Sequence, residues 1–228
     1  MSIQAAASSS SVQGPTYHVA PNVLSLAQAQ TLKGFMNNSS PVKQWYGRTT
    51  YWKKTFEFKV KGQNFDGKHT QKPLKNEAVN ELISLFLRTI SQQFKQNLEG
   101  HTCCLAIYID RNDVTKATAD KSTFDWHQDL FISTSDMEED LSKGALAHYS
   151  MVYLMSDEST WTGGDMHLRY KVESEKSSKA PEVTVKPKLN QAIIFENIHS
   201  EHNVECIQPV NESVTRDVFL ITCIFQKQ

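Results

Sequence analysis

Several things are scarce in this chain, and each scarcity removes a class of protein. Four cysteines occur in 228 residues, and no two form a Cys-x-x-Cys pair. Cys103, Cys104, Cys206 and Cys223 sit in apolar, strand-like stretches. They read as buried free thiols in a reducing compartment, so a cytoplasmic protein is expected. No apolar run is long enough to cross a bilayer, so no membrane partner is expected. The first residues, MSIQAAASSSSVQG, have neither the basic start nor the continuous apolar segment of a signal peptide. No internal repeat is visible. Net charge is also nearly absent, at −1, but it is unevenly spread. Residues 1–75 carry 10 Lys/Arg against 2 Asp/Glu, a balance of +8, and the remainder balances at −9. A basic N-terminal third can attract an acidic partner or polyanion, or pair with the acidic remainder.

What is present is a 39% apolar chain of single-domain length. Residues 1–14, rich in Ala, Ser and Gln, read as a disordered tail, and residues 15–228 as one domain. Tyr17–Ala20 resembles a short strand. Ser25 followed by Gln28 is a capping box opening a helix that should reach about Met36. "WYGRTTYWKKTFEFKV" alternates and is rich in aromatic and β-branched residues, so it predicts a strand or hairpin. "FDGKHTQKPLK" predicts a loop. Asn76 can cap a second helix, with Val79, Leu82, Ile83, Phe86, Ile90, Phe94 and Leu98 on one face, ending at Gly100. Eight strand-like runs follow. Helices first and strands afterwards predict a mainly β protein with supporting helices: a double-stranded β-helix, or jelly roll, with the N-terminal helices packed on one face.

Within the strand region, "FDWHQDLF" places His127 and Asp129 two residues apart in an apolar, aromatic segment. On a strand they would share a face, with Trp126, Gln128 and Leu130 on the other. Two polar groups facing one interior need a partner, either a metal ion or a hydrogen bond. Three further features follow in order. "WTGGDMHL" has two glycines before a strand, the mark of a tight turn or a close backbone approach. "QAIIFENIHSEHNV" ends an apolar strand and leads to His202. Arg216 heads the last apolar run.

These motifs resemble the iron(II)- and 2-oxoglutarate-dependent dioxygenases, especially their prolyl-4-hydroxylase-like branch. The likeness lies in His127-Gln128-Asp129, the turn "VYLMSDESTWTGGDMHL", Phe195, His202-Asn203-Val204 and Arg216; "PNVLSLAQAQTL" is similar to that branch's helical start. The resemblance spans roughly residues 17–226 and is strongest after residue 103. It departs from the branch in a longer segment between Tyr108 and His127, in "YLMSDES" for the usual shorter turn, and in the spacing from His202 to Arg216. It implies iron(II) on His127, Asp129 and His202, and 2-oxoglutarate held by Arg216 with a hydroxyl from Tyr108. It also implies O₂ as co-substrate, ascorbate as accessory reductant, and a peptide or protein side chain such as proline as substrate. A nucleic-acid substrate, as in the demethylases of the same superfamily, is the alternative within the fold.

The chemistry agrees with the resemblance. Two imidazoles and one carboxylate occupy one face of an octahedron and leave the other positions open, an arrangement suited to non-haem iron(II). Arg216 offers a planar fork to a carboxylate, and a buried arginine is costly without an anion. Asp129 argues against a halogenase, which lacks that carboxylate. Rival local readings are a compact zinc site in "HSEH", His199 in place of His202 as ligand, and a barrel that binds without catalysing. The acidic run Ser135–Asp140 reads as a solvated loop or a substrate-facing lid.

Overall fold

The computed structural model describes residues 15–45, 48–61, 75–129, 145–170 and 182–227. The N-terminal tail, most of the 65–75 loop and the acidic run Ser135–Asp140 lie outside the described residues.

The chain opens with strand β1 (Tyr17–Ala20) and helix α1 (Leu26–Asn37). The expected capping box is formed, with the Ser25 hydroxyl accepting from the Gln28 N–H and the Gln28 side chain accepting from the Ser25 N–H. Strands β2 (Lys43–Trp45) and β3 (Arg48–Lys59) pair as a hairpin. Helix α2 (Glu77–Gln92) is capped by the Asn76 side chain. It stops six residues short of Leu98, because Lys95 takes a left-handed backbone conformation with φ 52°. Leu98 is nonetheless buried, and Phe94 stacks on Tyr149 at 5.5 Å. The apolar stripe therefore reported burial correctly past the point where the helix ends.

The strands that follow are β4 (Thr102–Thr115), β5 (Phe124–His127), β6 (Ala147–Leu154), β7 (Trp161–Gly163), β8 (Met166–Tyr170), β9 (Glu182–Val185), β10 (Ala192–Glu196), β11 (Ser200–Val204), β12 (Ile207–Pro209) and β13 (Ser213–Gln226). They form a seven-stranded sheet, β1-β10-β6-β13-β4-β3-β2, a four-stranded sheet, β5-β11-β8-β9, and the small pair β12-β7. All pairings are antiparallel.

Strand alternation divides the large sheet into two faces. On β4, Cys103, Leu105, Ile107 and Ile109 join Leu32 and Met36 of α1 and Val79, Leu82, Phe86 and Ile90 of α2 in the main core. The opposite face looks toward the small sheet. There Val152, Ile193 and Phe195 pack on Met166, Leu168 and Val185. The same face of β4 carries Tyr108, Asp110 and Asn112, so the polar residues of the strand line the space between the sheets. One irregularity matters for function. A bulge in β3 between Thr50 and Trp52 shifts the alternation by one residue, and Arg48 and Thr50 stand opposite Asn112 and Asp110.

The turn at Gly163–Gly164 is a backbone requirement, as both residues have positive φ, at 73° and 75°. A Cβ on Gly163 would fall 2.2 Å from the Cys206 carbonyl oxygen, whereas one on Gly34 in α1 would meet nothing within 4 Å. Gly163→Ala is therefore expected to destabilise the fold by at least about 2 kcal/mol. Gly34→Ala should stabilise it by about 0.5–1 kcal/mol through helix propensity. Urea unfolding midpoints of the two variants check both signs.

Candidate metal centre and anion pocket

His127 is the last residue of β5, and β11 pairs with β5 so that His202 stands directly across from it. The two rings lie 4.1 Å apart, and the Phe195 ring backs His202 at 4.9 Å. The Asp129 Oδ1 is 3.6 Å from His202 Nε2 and 3.9 Å from His127 Nε2. One ligand atom from each residue lies within 4.8 Å of the other two, and this is the one such His/Cys/Asp/Glu group among the described residues. These separations are too long for hydrogen bonds, yet short enough for a single cation to bridge. His127 Nδ1 lies 2.6 Å from the Asp125 carbonyl, which accepts its proton and leaves the lone pair on Nε2, facing the centre. His202 Nδ1 is buried without a hydrogen-bond partner among the described residues, and its ring is packed between Phe195 and His127.

The strand ends at His127, so alternation along a strand does not place Asp129. Asn197 does. Its Oδ1 accepts from the Asp129 N–H at 3.2 Å, and its Nδ2 donates to the Asp129 carbonyl at 2.8 Å. Gln128 returns the contact by donating to the carbonyls of Asn197 and Ile198 at 2.8 and 3.0 Å. Asn197 is buried beside His148, whose Nε2 is 2.8 Å from the Thr222 hydroxyl. The side chain of Asn197 thus replaces a missing ladder rung and fixes the backbone under the carboxylate.

The electrostatics suit a cation. Burial opposes the charge on Asp129, but His202, Ser150 and His127 together hold its carboxyl below the usual range. Burial pushes His202 down to about 4, so its imidazole is neutral at physiological pH and has no proton to displace.

Arg216 lies on β13 in the same interior, opposite Asn112 of β4. It is buried, and burial together with Arg48 lowers it to about 10, which leaves it cationic at neutral pH. The neighbouring carboxylate is taken. Asp217 turns to the other face and receives both Nε and Nη2 of Arg111, at 2.8 and 3.1 Å. No acid partners Arg216 among the described residues. An unpaired, buried guanidinium calls for an anion. Tyr108 lies on the same face of β4, but opposite Leu220, four residues along the strand from Asn112. Burial and the Asp110 and Asp129 carboxylates push its phenol up to about 12, so it remains a hydrogen-bond donor. The side chain directly across from Arg216 is the amide of Asn112, which the sequence reading passed over.

The "HSEH" zinc reading fails on geometry. Glu201 lies on the outer face and pairs with Arg169 at 3.1 Å, His202 points inward, and His199 is exposed in the preceding turn. Trp126 is also outside, with Arg169 over its ring at 3.9 Å.

No protein-family model matches the chain, and neither does any curated protein. Solved structures do. IDO from Bacillus thuringiensis is similar over 92% of this chain and 90% of its own, at 12% identity and a TM-score of 0.56. The Fe(II)/α-ketoglutarate-dependent dioxygenase TqaL covers 92% and 82%, at 10% identity and a TM-score of 0.52. A Pseudomonas putida prolyl-4-hydroxylase covers 94% of both chains at 15% identity, with a TM-score of 0.47. At these identities the likeness is one of fold: the chain has the jelly-roll fold of iron(II)- and 2-oxoglutarate-dependent oxygenases.

Because Asn197 fixes the Asp129 backbone, Asn197→Ala should weaken binding of a divalent metal by about 10–100-fold, the range seen when groups supporting a ligand are lost. Anaerobic titration with Fe(II), monitored calorimetrically, measures it.

Proposed function

We propose that the protein is an iron(II)- and 2-oxoglutarate-dependent dioxygenase that hydroxylates a substrate C–H bond. The observation that carries this reading is the convergence of His127, Asp129 and His202 in an interior that also holds a buried arginine with no acid partner among the described residues. The donor set fits the metal: two imidazoles and a carboxylate leave the remaining coordination positions free. Iron(II), when bound there, supplies the O₂ chemistry, in which one oxygen atom enters the substrate as a hydroxyl and the other enters succinate as 2-oxoglutarate loses CO₂.

The chain's own residues do the rest. His127 and His202 present Nε2, and Asp129 presents Oδ1, all toward one point. Arg216 receives the far carboxylate of 2-oxoglutarate through its planar fork, with the Asn112 amide alongside. Tyr108 offers its phenolic proton on the same wall. Phe195, Leu168 and Met166 form an apolar lining that keeps water from the reacting atoms. The substrate is a peptide or protein side chain such as proline; what supports this is the order of motifs shared with the prolyl-4-hydroxylase-like branch.

His127→Ala and Asp129→Ala are expected to abolish stoichiometric Fe(II) binding and succinate formation together. Arg216→Gln should keep the metal but raise the Kd for 2-oxoglutarate about 100-fold, as expected for loss of charge-assisted hydrogen bonds worth roughly 3 kcal/mol. Anaerobic equilibrium binding followed by succinate assay separates the two outcomes. A His127→Ala protein with intact iron binding and turnover contradicts the assignment.

A further inference from the structure

Arg48 is a second arginine on the interior face, and the reaction as derived above does not use it. The bulge in β3 places it opposite Asn112, so Arg48, Asn112 and Arg216 lie in one row across three neighbouring strands. The two arginines differ in exposure. Arg216 is 7% exposed, whereas the Arg48 side chain is 31% exposed. Arg216 is therefore the inner cation and Arg48 the outer one. Among the described residues, the ion pair that Arg48 makes uses Nε, 3.1 Å from Asp110 Oδ2. Its guanidinium lies over the Phe124 ring, 5.4 Å from the centroid, three residues before His127. No other ion pair engages its fork among the described residues.

Asp110 is 1% exposed, and Thr50 supports it from the same strand as Arg48. A buried carboxylate braced in this way fixes the direction of the guanidinium, as an orienting acid does for a ligand arginine. Lys53 adds a second cation on the same strand. It stands opposite Tyr108, with its ammonium 5.4 Å from the centre of that ring. The wall formed by β3 thus presents Arg48 and Lys53 beside the interior, and its one acid, Glu57, stands further along, opposite Cys104. Part of the positive excess of the N-terminal third is therefore aimed at the site.

We infer that Arg48, braced by Asp110, is a recognition site for a carboxylate of the substrate, so that the substrate is an acidic peptide segment with Asp or Glu close to the hydroxylated residue. This rests on the function proposed above and adds to it the charge of the substrate. Arg216, deeper and without an acid partner among the described residues, serves the co-substrate; Arg48, outer and oriented, meets what enters afterwards. A charge-assisted contact of this kind acts on the choice and capture of substrate.

The test uses the full chain loaded with Fe(II) and 2-oxoglutarate, and three pools of blocked seven-residue peptides centred on proline. The pools differ only in whether the flanking positions carry Glu, Gln or Lys. Succinate release above the peptide-free background should be about tenfold greater with the Glu pool than with the Gln pool. Arg48→Gln should erase that difference while the 2-oxoglutarate Kd stays within about twofold of wild type. Because this change leaves Asp110 without its cation, Arg48→Gln combined with Asp110→Asn is measured beside it and should behave alike. Equal responses to the Glu and Gln pools, whether both active or both inert, overturn the inference. So does an Arg48→Gln protein that loses 2-oxoglutarate affinity as Arg216→Gln does. Failure of the proposed function itself looks different: wild-type protein then binds neither Fe(II) nor 2-oxoglutarate.

Discussion

The register between β5 and β11 is the constraint on which the rest of the structure depends. It sets His127 directly across from His202, two residues that are 75 positions apart in the chain. A slip of one residue would turn His202 to the outer face, where Glu201 and Asn203 now point, because side chains alternate with a period of two. The register is held from both sides. β8 pairs with β11 along all five of its residues, and Phe195 from the large sheet packs on the His202 ring. Apolar packing between the two sheets, through Leu168, Met166, Ile193 and Phe195, keeps that arrangement dry. Two imidazoles that would repel each other if protonated thereby face one carboxylate, and the low proton affinity of His202 follows from the same burial.

The second constraint is the distribution of acids and bases between the two sheets. Among the described residues, the buried carboxylates Asp217 and Asp110 are committed to Arg111 and Arg48, and the half-buried Asp129 lies toward the two histidines. Arg216 is left over. In a close-packed interior, a guanidinium without an acid is a cost that folding alone does not explain. Under the proposed function, a dicarboxylate co-substrate supplies the missing anion. The fold supplies the scaffold for this arrangement, and the side chains supply its meaning, since the same jelly roll serves unrelated chemistries.

Much of this was legible in the sequence, for identifiable reasons. The Ser25–Gln28 capping box and the Asn76 cap are local signals and formed as read. The strands after residue 101 follow from alternation and β-branched content, and the two glycines before β8 take the positive φ their position suggested. His127, Asp129 and His202 were singled out by the resemblance of their motifs to a known family, and the structure brings the three side chains together. The rest depended on contacts that one sequence does not display. β5 ends at His127, so the same-face argument for Asp129 was superseded by the hydrogen bonds of Asn197, a residue 68 positions away. Asn112, which stands across from Arg216, was not singled out, because the pairing of β4 with β13 is fixed along fourteen residues that look equivalent in sequence. Arg48 reached the interior only through a bulge, and bulges leave a weak mark in sequence. α2 stopped at Gln92 although its apolar stripe continued, because periodicity detects which residues are buried and does not report how the backbone gets them there.

The central claim is that three side chains from distant parts of the chain share one cation. X-ray absorption at the iron edge, on protein reconstituted anaerobically with one equivalent of Fe(II), tests it most directly. The account predicts a first shell of nitrogen and oxygen with the outer-shell scattering of two imidazoles. Asp129→Ala should disturb that shell, and adding 2-oxoglutarate should remodel it. A shell of oxygen alone, with no imidazole scattering and no response to either change, would contradict it.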